Sequence, residues 1–404
     1  MKNKAELFAL LLFLVLVTVA AISFSGFGFS PRQFLASVFF IDSVTVDGLQ
    51  HNFKAAKEGK GKVGVLIVPG HDDASPGAVF KGVREADLTR EVGLKLADYF
   101  NDDDEFEVIL LRNENGYNQD FLNYFNQNRS SLERFVTSKK QTMISLIDKG
   151  LVQPFAGVDH NAVSYDKALR LYAINQWVNE RGIDVVVHIH FNDYGGRRAG
   201  KAGKYSGLAV YIPESQYSNA KASLALGKSV FEKLREYGAV SNLPKESKGL
   251  VEDQELIALG SYNTADAASV LIEYGYVYEP QFQDKEIRAH MIQELAYKTY
   301  LGFSSFFGHR SGAAFSTLFL PYEWNDTLTK NATNREAVLA LQSALVFSKL
   351  YPPAGLTKND CPVNGYFGPC TEVSLKKFQE KEGISERGTV GPETRKKLNE
   401  LFGY

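Results

Sequence analysis

Five runs of this chain are apolar with little alternation: residues 61–69, 107–112, 184–191, 207–213 and 268–277. They are rich in Val and Ile, as strands covered on both faces are. Stretches with a helical repeat separate them. Within 85–100, Leu88, Val92, Leu96 and Tyr99 share one face; 165–180 and 218–237 behave alike, and 285–306 reads as a long closing helix. Strands alternating with helices predict an α/β fold, a twisted and mostly parallel sheet with helices on both faces. In such sheets ligands collect at the carboxyl ends of the strands.

The pattern breaks over 113–164, where Asn, Gln, Tyr and Phe are mixed and one helical stretch covers 131–148. Residues 309–333 read as a linker, although 315–322 is apolar enough to pack. A compact helical unit follows over 334–404. Val338, Leu341 and Leu345 mark its first helix. Gly365-Tyr-Phe-Gly-Pro-Cys-Thr371 and Gly388-Thr-Val-Gly-Pro-Glu-Thr394 are two copies of one motif, each feeding a helix with proline at its first position.

Length changes the picture only by allowing two or three domains across 404 residues. A net charge of −2 gives no bulk attraction for nucleic acid, which is not expected as a partner. The N-terminus is distinctive. Lys2 and Lys4 precede an uncharged apolar run at 7–24, then Gly26-Phe-Gly-Phe29 and a second apolar stretch at 34–41, with no small-x-small cleavage site. The expectation is an uncleaved membrane anchor within 1–41; a cleaved export signal and a buried core helix are the alternatives. Lysines ahead of the run place the remainder outside the cytoplasm. The only cysteines, Cys361 and Cys370, are nine positions apart. In an exported protein such a pair is a disulfide rather than two thiols, and no His or third Cys stands near enough to make it a zinc site.

The candidate chemistry sits at strand ends. Val68-Pro-Gly-His71 closes the first run, Glu85 opens the helix after it, His188-Ile-His190-Phe-Asn192 closes the third, and Leu271-Ile-Glu273-Tyr-Gly-Tyr276 lies in the last. Two imidazoles and a carboxylate are the protein ligands of a catalytic zinc site, which keeps one position open for water. Glu273 is then left over to move protons. Singly, each residue has a plainer reading: His71 as a hydrogen-bonded loop residue, Glu85 as a first-turn helix carboxylate, His190 as a core histidine. Glu273 is harder to explain away, because a carboxylate against an apolar strand is costly unless paired, metal-bound or catalytic. His188 and His190 point to the same face, so His188 is a supporting partner or the ligand in place of His190. His190 is preferred as nearer the strand end and followed by Asn192. Asp72 and Asp73 are competing oxygen ligands.

These motifs carry a resemblance. Residues 63–305 resemble the zinc-dependent N-acetylmuramoyl-L-alanine amidases, through Val-Pro-Gly-His71 with Pro76-Gly-Ala78 behind it, Glu85, the strand at 108–112, Ala173-Ile-Asn175, His190-x-Asn192 and Leu271-Ile-Glu273-Tyr-Gly-Tyr276. The resemblance implies Zn2+ held by His71, Glu85 and His190, with Glu273 catalytic. The chain departs from the family's usual acidic residue at Val68, its Gly-Gly at Asp72-Asp73 and its Ser at His188. Residues 334–404 are similar to a small all-α peptidoglycan-binding domain, through Leu341-Gln342, Phe378-Gln379 and the repeated motif.

The expected organisation is therefore an anchor at 1–41, a catalytic domain at 60–308 with 113–164 inserted, a linker at 309–333 and a wall-binding domain at 334–404. The expected function is exported, membrane-tethered cleavage of the amide between the muramyl lactyl group and L-alanine of peptidoglycan, with any activator protein left open. A different zinc amidohydrolase or peptidase acting on wall peptides, or a non-catalytic wall-binding protein, are the rival readings. The inserted stretch is a groove wall or a lid. Tyr117, Phe121, Tyr124 and Phe125 could stack on sugars, and Glu114 or Asp120 could reach the metal's open position. Its aromatic, amide-rich character favours the groove wall.

Overall fold

The computed structural model describes residues 42–160, 163–309 and 315–404. The expected N-terminal anchor lies outside the described residues; among these, no helix is long and apolar enough to cross a membrane. One six-stranded sheet forms the frame: β1 (Val63–Pro69), β2 (Phe106–Leu110), β3 (Val185–Asn192), β4 (Ala209–Pro213), β5 (Leu250–Asp253) and β6 (Ala268–Tyr276), in the order β2-β1-β3-β6-β4-β5. The first four in that order are parallel, and β4 with β5 runs antiparallel to them.

Helices cover both faces, as the apolar runs require. Val63, Val65 and Ile67 of β1 share a core with Leu88, Val92 and Leu96 of α2 (Glu85–Asn101), with α6 (Ala220–Leu234) and α7 (Lys285–Phe306), and with Leu49 and Phe53 of α1 (Val46–Lys57). Leu66 and Val68, of opposite parity, join α5 (Tyr165–Arg181) on the other face. Each such buried aliphatic side chain contributes about 1.5–3 kcal/mol relative to exposure. Two of the elements that escape the sequence pattern frame the sheet. β5 is a four-residue edge strand, and α1 buries only Leu49, Phe53 and Ala56.

Among its described residues, the stretch 113–164 holds two helices, α3 (Gln119–Gln127) and α4 (Arg129–Asp148). Here the aromatic argument for a groove wall is corrected. Phe121 and Phe125 are buried, Phe121 lying edge-on to Trp177 at 5.5 Å, and Tyr117 and Tyr124 pack against the same cluster. The amphipathic face of α3 finds more apolar surface on α5 than a solvated cleft offers. Asp120 stands 4.0 Å from Arg181, at the far end of α5 from the candidate site, and so does not reach a metal there.

In the C-terminal unit, α8 (Arg335–Phe347), α9 (Pro369–Lys381) and α10 (Pro392–Phe402) bear out the all-α expectation. The sequence repeat is a structural repeat. Gln342 accepts from Gly365 N at 3.0 Å and donates to Tyr366 O and Thr371 Oγ1, both at 3.1 Å. Gln379 accepts from Gly388 N at 2.7 Å and donates to Thr389 O at 2.7 Å and Thr394 Oγ1 at 2.8 Å. Each buried glutamine thus closes the turn that launches a helix, the kind of satisfied buried polar group that specifies one packing. Cys361 and Cys370 form a disulfide.

The described part of the expected linker is not loose. Phe319, Leu320, Trp324 and Leu328 are buried in the same cluster as Ile287 of α7 and Leu339 of α8. Asn359 bridges Ser206 Oγ (2.9 Å) and Val240 O (2.9 Å) of the sheet unit.

Candidate metal centre

Sheet register arranges the site in two rows. Glu273 of β6 is the register partner of His190 on β3 and of Ala209 on β4. One step deeper on the same face, His188 aligns with Val68, Leu271 and, through Leu271, Tyr211. Past the end of β1, Gly70 N donates to Ile189 O at 2.9 Å and brings His71 beside His190.

His71 Nε2 lies 3.2 Å from Glu85 Oε2, and His190 Nδ1 lies 3.0 Å from Glu85 Oε1. The two imidazoles meet edge to face at 5.2 Å. One ligand-type atom from each of the three residues lies within 4.8 Å of the other two. Glu85 is only 4% exposed. Its Oε2 also accepts from Ala78 N at 3.0 Å and its Oε1 from Phe191 N at 3.1 Å. Burial raises this carboxyl's pKa, but hydrogen bonds from His190 and His71, with their charge, outweigh it and hold the group well below its usual range. Bonds to an ionised group contribute about 1.5–3 kcal/mol each, enough to keep a buried carboxylate charged.

The backbone is shaped to the cluster. His71 itself has φ 62°, a left-handed conformation uncommon for a side-chain-bearing residue. A Cβ on Gly70 would stand 2.4 Å from His190 Cε1. One on Gly77, at φ +69°, would stand 2.3 Å from Glu85 Oε2 and 2.7 Å from His71 Cδ2. Both glycines are therefore required by close approach. Arg112 and Thr89, which the sequence reading did not single out, brace this turn. Thr89 Oγ1 donates to Gly70 O at 2.7 Å, and Arg112 Nη2 donates to Gly70 O at 3.2 Å and Ala86 O at 2.8 Å. An arginine closing an apolar strand was the available signal.

The alternatives separate cleanly. His188 is buried at 1% exposure, and burial, then the charge of His190, pushes its pKa down to about 3, so it stays neutral. It stands outside the three-residue group. Asp72 is engaged elsewhere, accepting from Ser75 N at 2.8 Å, Tyr117 OH at 3.1 Å and Arg170 Nη1 at 3.3 Å. Asp73 pairs with Arg84 at 2.9 Å. Among the described residues, metal-ligand atoms converge at one other place, Asp103, Glu105 and His309, beyond the opposite end of α2.

Glu273 is the remaining carboxylate. Its Oε2 is buried without a hydrogen-bond partner. Burial, then the negative charge of Glu85 and Glu246, raises its pKa well above the ordinary value. Glu246, also missed in the sequence, is 1% exposed and accepts from Tyr211 OH at 2.5 Å, Asn192 Nδ2 at 3.1 Å, Ser241 Oγ and Tyr276 OH at 3.4 Å. The residues present therefore fit a divalent metal: two imidazoles and a carboxylate in a cradle too tight for a methyl group, with an unpartnered carboxylate oxygen on the next strand.

Residues 65–304 match the family described as N-acetylmuramoyl-L-alanine amidase, and residues 334–398 match a peptidoglycan binding domain. The amidase CwlL of Bacillus licheniformis is 37% identical over 65 residues, 16% of this chain and 18% of that protein. The zinc D-Ala-D-Ala carboxypeptidase of Streptomyces albus G is 32% identical over 80 residues, 20% of this chain and 29% of that protein. The chain thus spans less than a third of the length of either curated relative. The solved N-acetylmuramoyl-L-alanine amidase of Clostridium difficile 630 aligns at 16% identity and TM-score 0.38, over 62% of this chain and 99% of that one. The amidase match alone spans more than half of the sequence, and this chain belongs to the N-acetylmuramoyl-L-alanine amidase family, with a peptidoglycan-binding unit behind it.

Proposed function

We propose that this protein is a zinc-dependent N-acetylmuramoyl-L-alanine amidase that acts outside the cytoplasm on peptidoglycan. The observation that carries the reading is the convergence of His71, Glu85 and His190 on one point, with the free Oε2 of Glu273 on the neighbouring strand. His71, Glu85 and His190 would hold the metal. When bound, zinc supplies a water of lowered pKa, roughly 7, and a Lewis acid for the amide carbonyl.

The chain's own part is proton transfer. Glu273 takes a proton from the attacking water as the carbon–oxygen bond forms. It returns that proton to the amide nitrogen as the carbon–nitrogen bond breaks, leaving a lactyl carboxylate and the free amine of L-alanine. Its raised proton affinity suits the second half of that cycle. The apolar run at 7–24 would tether the chain to the membrane, and the C-terminal unit would hold it on its polymer and raise the local concentration of scissile bonds.

Digestion of purified sacculi tests the reading. The expected result is new L-alanine amino termini with intact stem peptides, lost on chelation and restored by zinc. Fragments cut within the stem would replace the reading by a peptidase. A zinc-loaded protein that binds sacculi and releases nothing would make it a wall-binding protein.

A further inference from the structure

The loop that leaves β3 after Asn192 and enters β4 carries Arg197, Arg198, Lys201 and Lys204 against one acidic residue, Asp193. It is a fixed platform. Arg197 grips Asp193 twice, at 2.6 and 3.0 Å, and donates to Val79 O at 2.8 Å, with its guanidinium over the rings of Phe80 and Tyr278. Tyr278 OH donates to Tyr205 O at 2.8 Å and leaves room at Gly203 for glycine only, since a Cβ there would lie 2.4 Å from that hydroxyl. The loop is thereby stapled between the hairpin that leads into Glu85 and the segment that follows Glu273. It forms one rim of the metal centre.

Its cations differ from those on the adjoining hairpin and on α5. There Arg84 is neutralised by Asp73 and Asp87, and Arg170 by Asp72. Here Arg198 and Lys201 are exposed, and among the described residues neither has an acidic partner. Lys204 lies 5.3 and 4.8 Å from the rings of Tyr194 and Tyr205, which meet edge to face at 5.0 Å. Aromatic rings order a lysine without cancelling its charge. Three exposed cations on an anchored loop, of which Lys204 is ordered by two rings and none is paired with a carboxylate among the described residues, create a field for an anion.

The geometry points to this loop as a subsite for the free carboxylates of the stem peptide, with Arg198, Lys201 and Lys204 as specificity-determining residues. The inference rests on the amidase reading and adds to it a preference among substrates. A stem whose side carboxylates are free is held by the loop; one whose carboxylates are amidated gains nothing from it.

The test uses the full chain loaded with zinc and two soluble muropeptides that differ only in having free or amidated stem carboxylates. Arg198→Glu with Lys201→Glu is expected to raise KM for the free-carboxylate peptide about tenfold, with kcat retained, and to leave the amidated peptide unchanged. Arg198→Gln with Lys201→Gln, which removes charge without reversing it, should shift KM the same way by less. The wild-type preference for the free-carboxylate peptide should shrink as salt rises. Equal KM changes for both peptides, or none for either, overturn the subsite while the amidase reading stands. Cleavage of neither peptide by the wild-type chain overturns both.

Discussion

Glu273 and His190 are register partners on adjacent parallel strands, so the candidate proton carrier and one candidate ligand share a row and face the same side. The pairing separates two kinds of loss. His71→Ala or His190→Ala should empty the site of zinc by elemental analysis. Glu273→Gln should keep the metal and lose about 10²–10⁴-fold in turnover. His188→Ala, one row deeper, should keep the metal and lower the melting temperature through the cavity it leaves. Metal lost from the His188 variant and kept by the His190 variant would reverse the assignment.

Gly77 and Gly59 offer a matched pair for testing the cradle. Both have left-handed backbone, φ +69° and +71°, but a Cβ meets Glu85 and His71 at Gly77 and nothing within 4 Å at Gly59. Gly59→Ala should cost only backbone strain, about 1 kcal/mol. Gly77→Ala should cost more and weaken zinc affinity as well. Equal zinc affinity in the two variants, by competition with a chelating dye, would remove the cradle's role.

Lys358 joins the C-terminal unit to the sheet unit, donating to the carbonyls of Arg235 and Glu236, the latter at 2.7 Å. Burial, then the charges of Arg235 and Lys298, lowers its pKa to about 8, with Glu236 opposing. Between that value and the unfolded lysine's the native state binds fewer protons than the unfolded one. Stability therefore rises with pH across this window, starting near 8. Lys358→Met should flatten that part of the profile and raise stability below it. Parallel melting curves for wild type and variant across the window would refute the assignment.

Removing everything beyond residue 308 should do more than abolish pelleting with sacculi. It strips Leu339, Phe319 and Val363 from the cluster that contains Ile287 and Met291 of α7. Each aliphatic group left exposed forfeits about 2 kcal/mol. The shortened chain should keep cleaving soluble muropeptides at low temperature but melt well below the full chain. An unchanged melting temperature would restore the picture of a freely hung domain.

What the sequence determined by itself follows from periodicity. Apolar runs specify strands covered on both faces, and the ends of 285–306 were legible to the residue, although this helix is buried nearly all round over 294–304 and not on one face alone. The candidate ligand residues were legible because strand ends are marked by the loss of apolar character, and the two helix-launching turns because their motif is repeated; Gln342 and Gln379 entered only through the resemblance. Periodicity says which face a side chain takes but not how deep in the sheet it lies. Only the tertiary structure sets His190, and not His188, beside His71 and Glu85. Nor does an aromatic's identity say what it meets. Phe121 and Phe125 became core because α3 docks on α5, while Tyr117 reaches past the core to Asp72. Asp72, Arg112 and Glu246 likewise took their roles from partners 98, 42 and 35 positions away in sequence, contacts that exist only once the chain has closed on itself.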